Sequence, residues 1–209
     1  WAMYPEIFKS EPLFLTKENP FERFRIGQGP GSYSKDAVKM KVLPGSQFPV
    51  DGYDHFTKQI VPRWTTTDEP IIAAYTELVD RVGPCIIVFH SQAGQFGFKV
   101  AHARPEKVKA LVAIEPAAAG DLSKAAVLKG IPTLVVFGDY IEQDSRWPKI
   151  KGNVIKFLDE VKTAGGKPEV VDLPKIGIKG NSHMLMMDKN NLEVAEVIQA
   201  WLVKQGLYQ

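Results

Sequence analysis

Four short apolar runs, separated by stretches with helical spacing, limit this chain to very few folds. The runs are "PCIIVFH" at 84–90, "VKALVAIE" at 108–115, "IPTLVVFG" at 131–138 and "KPEVVDLP" at 167–174. The first three are continuously apolar rather than alternating, as expected of strands buried on both faces of a parallel sheet. The intervening segments read as helices. Residues 149–166 place Ile150, Val154, Phe157, Leu158 and Val161 on one stripe, with Gly165 at the end. Residues 190–206 place Leu192, Ala195, Ile198 and Trp201 on another. Before the first run, residues 65–83 form a helical pattern in which Thr67 or Asp68 suits the N-cap, Pro70 the first turn and Gly83 the stop. Ile71, Tyr75, Leu78 and Val82 are its expected buried stripe. Strands alternating with helices of this length predict an α/β architecture: a mainly parallel sheet flanked by helices.

The first 50 residues have no sustained period. Prolines, glycines and aromatics are scattered through them, and Phe8, Phe14, Phe21 and Phe24 need a surface to pack on. We read 1–65 as a lid-like or cap segment and 66–209 as the core. The glycine-rich "IGQGPGS" at 26–32 lacks the Lys-Ser/Thr ending of a phosphate loop and reads as a turn.

Composition excludes several classes of function. The formal charge is +2, with 26 basic and 24 acidic residues mixed along the chain, which gives no footprint for nucleic acid or an anionic membrane. No apolar run approaches the ~18 residues of a membrane span. Cys85 is the lone cysteine, so neither an intrachain disulfide nor a thiolate metal cluster is expected. The chain opens on Trp1 rather than Met, and sequence upstream of it is expected. A removed signal peptide would leave no trace here, so the compartment stays open.

In an open parallel sheet, ligands bind beyond the carboxyl ends of the strands. The first run reaches that edge at "HSQAG", residues 90–94. A nucleophilic serine needs a sharp strand-to-helix turn with small residues two positions away. Ala93 and Gly94 meet that need on the helix side, but Phe89 stands where the usual elbow has glycine. Taken alone, the motif serves a nucleophilic Ser91 and a helix-capping Ser91 about equally well. If Ser91 is the nucleophile, the Gln92 amide at the helix start faces the developing oxyanion.

A serine nucleophile needs a base, and the base needs an orienting group. Of the four histidines, His55 falls before the sheet and His102 near the far end of a helix. His90, adjacent to Ser91, is expected to point the other way along its strand. His183 falls in "GIKGNSHMLMMDKNN", a loop at the same sheet edge, and is the candidate base. Two acids reach that edge, Glu115 and Asp139. Burying Glu115 after an all-apolar strand is costly without a cationic or hydrogen-bonded partner such as a histidine. Asp139 sits in a more polar loop with Glu142 and Asp144.

The order Ser91, acid, His183 on alternating strands and helices resembles the α/β-hydrolase family. More narrowly, "HSQAG", "IEPA", "IPTLVVFGDYIE", "RWP" and "GNSHMLMMDKNNLEVA" are similar to a group of bacterial serine esterases within it. The resemblance runs from about residue 48 to the end. It implies that the triad acid follows the strand after the nucleophile, which favours Glu115 and leaves Asp139 as the alternative. It implies ester hydrolysis through an acyl-enzyme, with the Gln92 amide in the oxyanion hole, no cofactor and no metal. It also implies that only the C-terminal part of the fold lies in this chain. An N-terminal polypeptide of the same precursor, or a homo-oligomer partner, is then expected to supply the remaining strands and the second oxyanion donor. Tyr4, Phe8, Phe21, Phe24 and Trp64 of the lid-like segment are candidates for setting substrate preference. The same triad serves acyl transfer, lactone opening or carbon–carbon cleavage, and a non-catalytic scaffold of the same fold is the rival from another class.

Overall fold

A computed structural model describes residues 10–208. The four apolar runs form β1 (Cys85–His90), β2 (Val108–Ile114), β3 (Thr133–Phe137) and β4 (Glu169–Asp172). They make one sheet in the order β1-β2-β3-β4, and every neighbouring pair is parallel. The short helices α1 (Glu18–Arg23) and α2 (Tyr53–Thr57) precede the sheet, and α3 (Asp68–Val82) leads into it. Helix α4 (Gly94–Ala103) joins β1 to β2, α5 (Trp147–Thr163) joins β3 to β4, and α6 (Asn191–Lys204) closes the chain. No described helix is long and apolar enough to cross a membrane.

Alternation along β2 divides the core into two layers. Leu111 and Ala113 face one layer, packed by Val79 of α3, Phe98 of α4 and Phe157 of α5. Ala110 and Val112 face the other, packed by Val194 and Trp201 of α6. Both faces of the inner strands β2 and β3 are therefore covered, which explains why they read as apolar runs.

Two expected stripes are rotated. In α3 the buried position is Val79, with Tyr75 packed beside it, whereas Ile71, Leu78 and Val82 are exposed. This helix carries two apolar rows, and only one of them reaches the core. The other lies open, as does Val88 on the edge strand β1, at 56% exposure. In α6, Leu192 is exposed and Val194 takes its place in the stripe with Trp201. The α5 stripe is as expected: Val154, Phe157, Leu158 and Val161 are buried. Tyr4 and Phe8 lie outside the described residues.

The phenylalanine at the elbow has a local compensation. The Phe89 side chain is buried and stacks edge-on against Phe98 at 5.1 Å. It fits because Gly97, one turn into α4, has no side chain, and a Cβ there would overlap the Phe89 ring. The elbow thus moves its small residue from the strand to the facing helix. Gly97→Ala should destabilise the fold by about 1–3 kcal/mol through overpacking, read as a lower urea midpoint with an unchanged slope.

Candidate active site

Three of the residues singled out in the sequence converge at the carboxyl edge of the sheet. Ser91 follows β1 directly and adopts a left-handed φ of 55°. A non-glycine residue in that region is under strain. The strain turns the chain out of the strand and into a 3-10 turn, Ser91–Ala93, that runs on into α4. Ser91 Oγ lies 2.7 Å from His183 Nε2, and His183 Nδ1 lies 2.8 Å from Glu115 Oε2. With Glu115 ionised, Nδ1 carries the proton donated to the carboxylate, which leaves Nε2 to accept from the serine hydroxyl.

Glu115 also sits in a left-handed turn, at φ 45°, immediately after β2, and it is fully buried. Its second oxygen accepts from the Gly138 amide at 2.6 Å and from the Arg25 guanidinium at 2.5 Å. Gly138 must be glycine for this approach, because a Cβ there would stand 2.9 Å from that carboxylate oxygen. Arg25 is 2% exposed, donates through Nε to the Asp139 carbonyl and lies against the Trp147 ring. Sequence reading missed Arg25. It asked for a partner to Glu115, but only the flanking apolar residues in "FRIG" hint that this arginine points inward.

Asp139 has other work. Its carboxylate accepts from the Tyr140 and Gly180 amides at 2.7 and 2.9 Å and so holds the start of the His183 loop. It makes no hydrogen bond to His183 among the described residues, and Glu115 occupies the imidazole's Nδ1 side. Asp188, also missed, is buried and accepts from Ser182 N, Ser182 Oγ and the Asn181 side chain. The His183 amide itself donates to the Phe24 carbonyl. The loop that delivers the imidazole is therefore held at both shoulders.

His90 corrects an expectation. Its ring does not point away but packs on the His183 ring at 4.6 Å, and its Nε2 donates to the His183 carbonyl at 2.8 Å. His90 itself keeps extended backbone, at φ −128° and ψ 143°; the alternation breaks at the left-handed Ser91, so both side chains meet the same imidazole. Burial, and then the neighbouring His183, push His90 down to about 4, so it is neutral in this role near pH 7. His102 lies away from the site, edge-on to Phe157.

Ser91, His183 and Gln92 line a cavity of about 530 Å³. Its apolar wall includes Phe24, Phe56, Ile60, Trp147 and Met184. Phe24 and Trp147 pack on the His183 ring at 5.3 and 4.8 Å. Phe21 is instead buried in a separate aromatic cluster with Phe48 and Tyr53, and Trp64 donates to the Ser10 carbonyl.

The α/β fold and the resemblance noted in the motifs are matched by known proteins. A solved structure described as a novel bacterial esterase superposes with a TM-score of 0.84 and 32% identity, over 93% of this chain and 59% of that one. The probable secreted lipase phiG of a fungal species (strain ATCC 74256) is 31% identical, over 66% of this chain and 51% of that protein. The chain thus spans little more than half the length of either relative. No protein-family model matches it.

Burial alone would push Glu115 up. The Arg25 charge and the His183 hydrogen bond outweigh it and bring the carboxyl down to about 2. Its folded value lies below the unfolded 4.5, so its contribution to stability is complete above 4.5 and is lost as pH falls toward 2. Arg25→Met leaves a buried carboxylate without its cation. The expected cost is about 3–5 kcal/mol in urea unfolding, and Arg25→Met/Glu115→Leu should recover part of it.

Proposed function

We propose that this chain carries the catalytic residues of a serine esterase acting on carboxylic esters through an acyl-enzyme. The observation that supports this reading is the relay Ser91 Oγ–His183 Nε2–Glu115, with both hydrogen bonds under 3 Å and a strained serine opening on an apolar cavity. The lipase and esterase relatives point the same way.

In this reading His183 takes the Ser91 proton as Oγ attacks the carbonyl carbon. Glu115 holds the imidazole and stabilises its cation. The backbone N–H of Gln92, in the first turn after the elbow, has no partner required within the helix and donates to the oxyanion. Collapse breaks the ester C–O bond, and His183 gives its proton to the departing alcohol. A water then repeats the sequence, releasing the acid and restoring Ser91. We assign the second oxyanion donor to polypeptide outside residues 1–209, seated against the open edge of β1. The Gln92 side chain accepts from Arg63, a contact that supports a role for the preceding segment in selecting substrate. We read residues 1–65 as that substrate-selecting cap.

A fluorophosphonate should add one mass adduct to the chain, at Ser91, and Ser91→Ala should abolish it. Absence of an adduct on the folded protein would favour a scaffold role and overturn this reading. Glu115→Gln should lower kcat/KM at least a hundredfold, and Asp139→Asn much less. The opposite ranking would transfer the acid role to Asp139.

A further inference from the structure

The cavity beside Ser91 has an unusual charge pattern for a chain so nearly balanced. Arg23, Arg63 and Arg146 line it, and among the described residues no aspartate or glutamate does. The rest of the wall is apolar or neutral. The acids nearby are committed elsewhere. Glu22 accepts from the Gly31 amide, and Asp144 accepts from the Arg146 and Trp147 amides; both line the neighbouring cavity, whose wall Arg23 and Arg146 share with this one. The closest approach of Asp144 to the Arg146 guanidinium is a long 3.7 Å. Arg146 donates to the Arg23 carbonyl, which brings the two arginines' segments together at the rim. The Arg23 guanidinium itself makes no hydrogen bond or ion pair among the described residues.

An apolar floor explains a hydrocarbon chain but not the positive rim: the Gln92 side chain holds Arg63 and Asp144 pairs loosely with Arg146, which leaves Arg23 without a counter-charge among the described residues. Guanidinium groups present planar paired donors that match a carboxylate, and an excess of them over acids at a cavity wall raises the local concentration of anions. We propose that the ester this site takes is itself anionic: a medium-length chain whose far end carries a carboxylate, held by Arg23 and Arg146 while the ester carbonyl lies at Ser91. This rests on the ester-hydrolase reading, and the test separates the two.

The probes are 4-nitrophenyl hydrogen adipate and 4-nitrophenyl hexanoate, which differ by a carboxylate in place of a methyl. At low salt the adipate ester should be favoured in kcat/KM by about tenfold, the sum of two ion pairs at the rim. The ratio should fall with added sodium chloride as screening shortens the reach of the charges. Arg23→Gln/Arg146→Gln should bring the ratio near one, and Arg23→Lys/Arg146→Lys should keep most of it. Equal or better turnover of the hexanoate ester by the unaltered protein would overturn the proposal and leave the esterase reading intact. If neither ester is turned over, the esterase reading fails. The charge preference is then decided by calorimetry with the unreactive adipic monoanilide and hexananilide. Tighter binding of the anion, lost in the glutamine pair, carries the proposal, and equal binding overturns it.

Discussion

A buried carboxylate is tolerable only when its charge is matched, and here the match comes from far away in sequence. Glu115 ends a strand in the core of the sheet, and Arg25 reaches it from the irregular segment before the first helix of the core. One oxygen of Glu115 serves Arg25 and Gly138, and the other is left for His183. The imidazole orientation therefore depends on a pair whose desolvation is offset only while both partners are in place. Such a pair is weak evidence for net stability, but it fixes geometry, because no other nearby arrangement satisfies both charges.

The elbow shows a second constraint solved locally. A phenylalanine two residues before Ser91 ought to clash with the turn. The ring instead finds room over Gly97. Read as a motif the site departs from its pattern, yet read as packing the small volume is conserved and only its position has moved.

Much of the architecture was legible. Parallel strands buried on two faces announce themselves as apolar runs, and chain order brought Ser91, His183 and two candidate acids, Glu115 and Asp139, to one sheet edge, with the family resemblance favouring Glu115. Other features were not legible, for reasons that are physical. Helix α3 has two apolar rows, and periodicity cannot say which one meets the core. His90 and Ser91 reach the same imidazole because Ser91 is left-handed, which no side-chain pattern reveals. Arg25 and Asp188 act through pairings 90 and six residues apart, and a single sequence carries no trace of such pairings.

The segment holding Arg25 contributes nothing to the sheet, yet Phe24 accepts from the His183 amide and Arg25 neutralises Glu115. The geometry of the Ser91–His183–Glu115 relay thus depends on a part of the chain with its own small aromatic cluster. Partial opening that lifts this segment while the sheet stays intact would scatter the relay without unfolding the protein. Warming that undocks residues 10–64 would then disorder the relay while the core still holds.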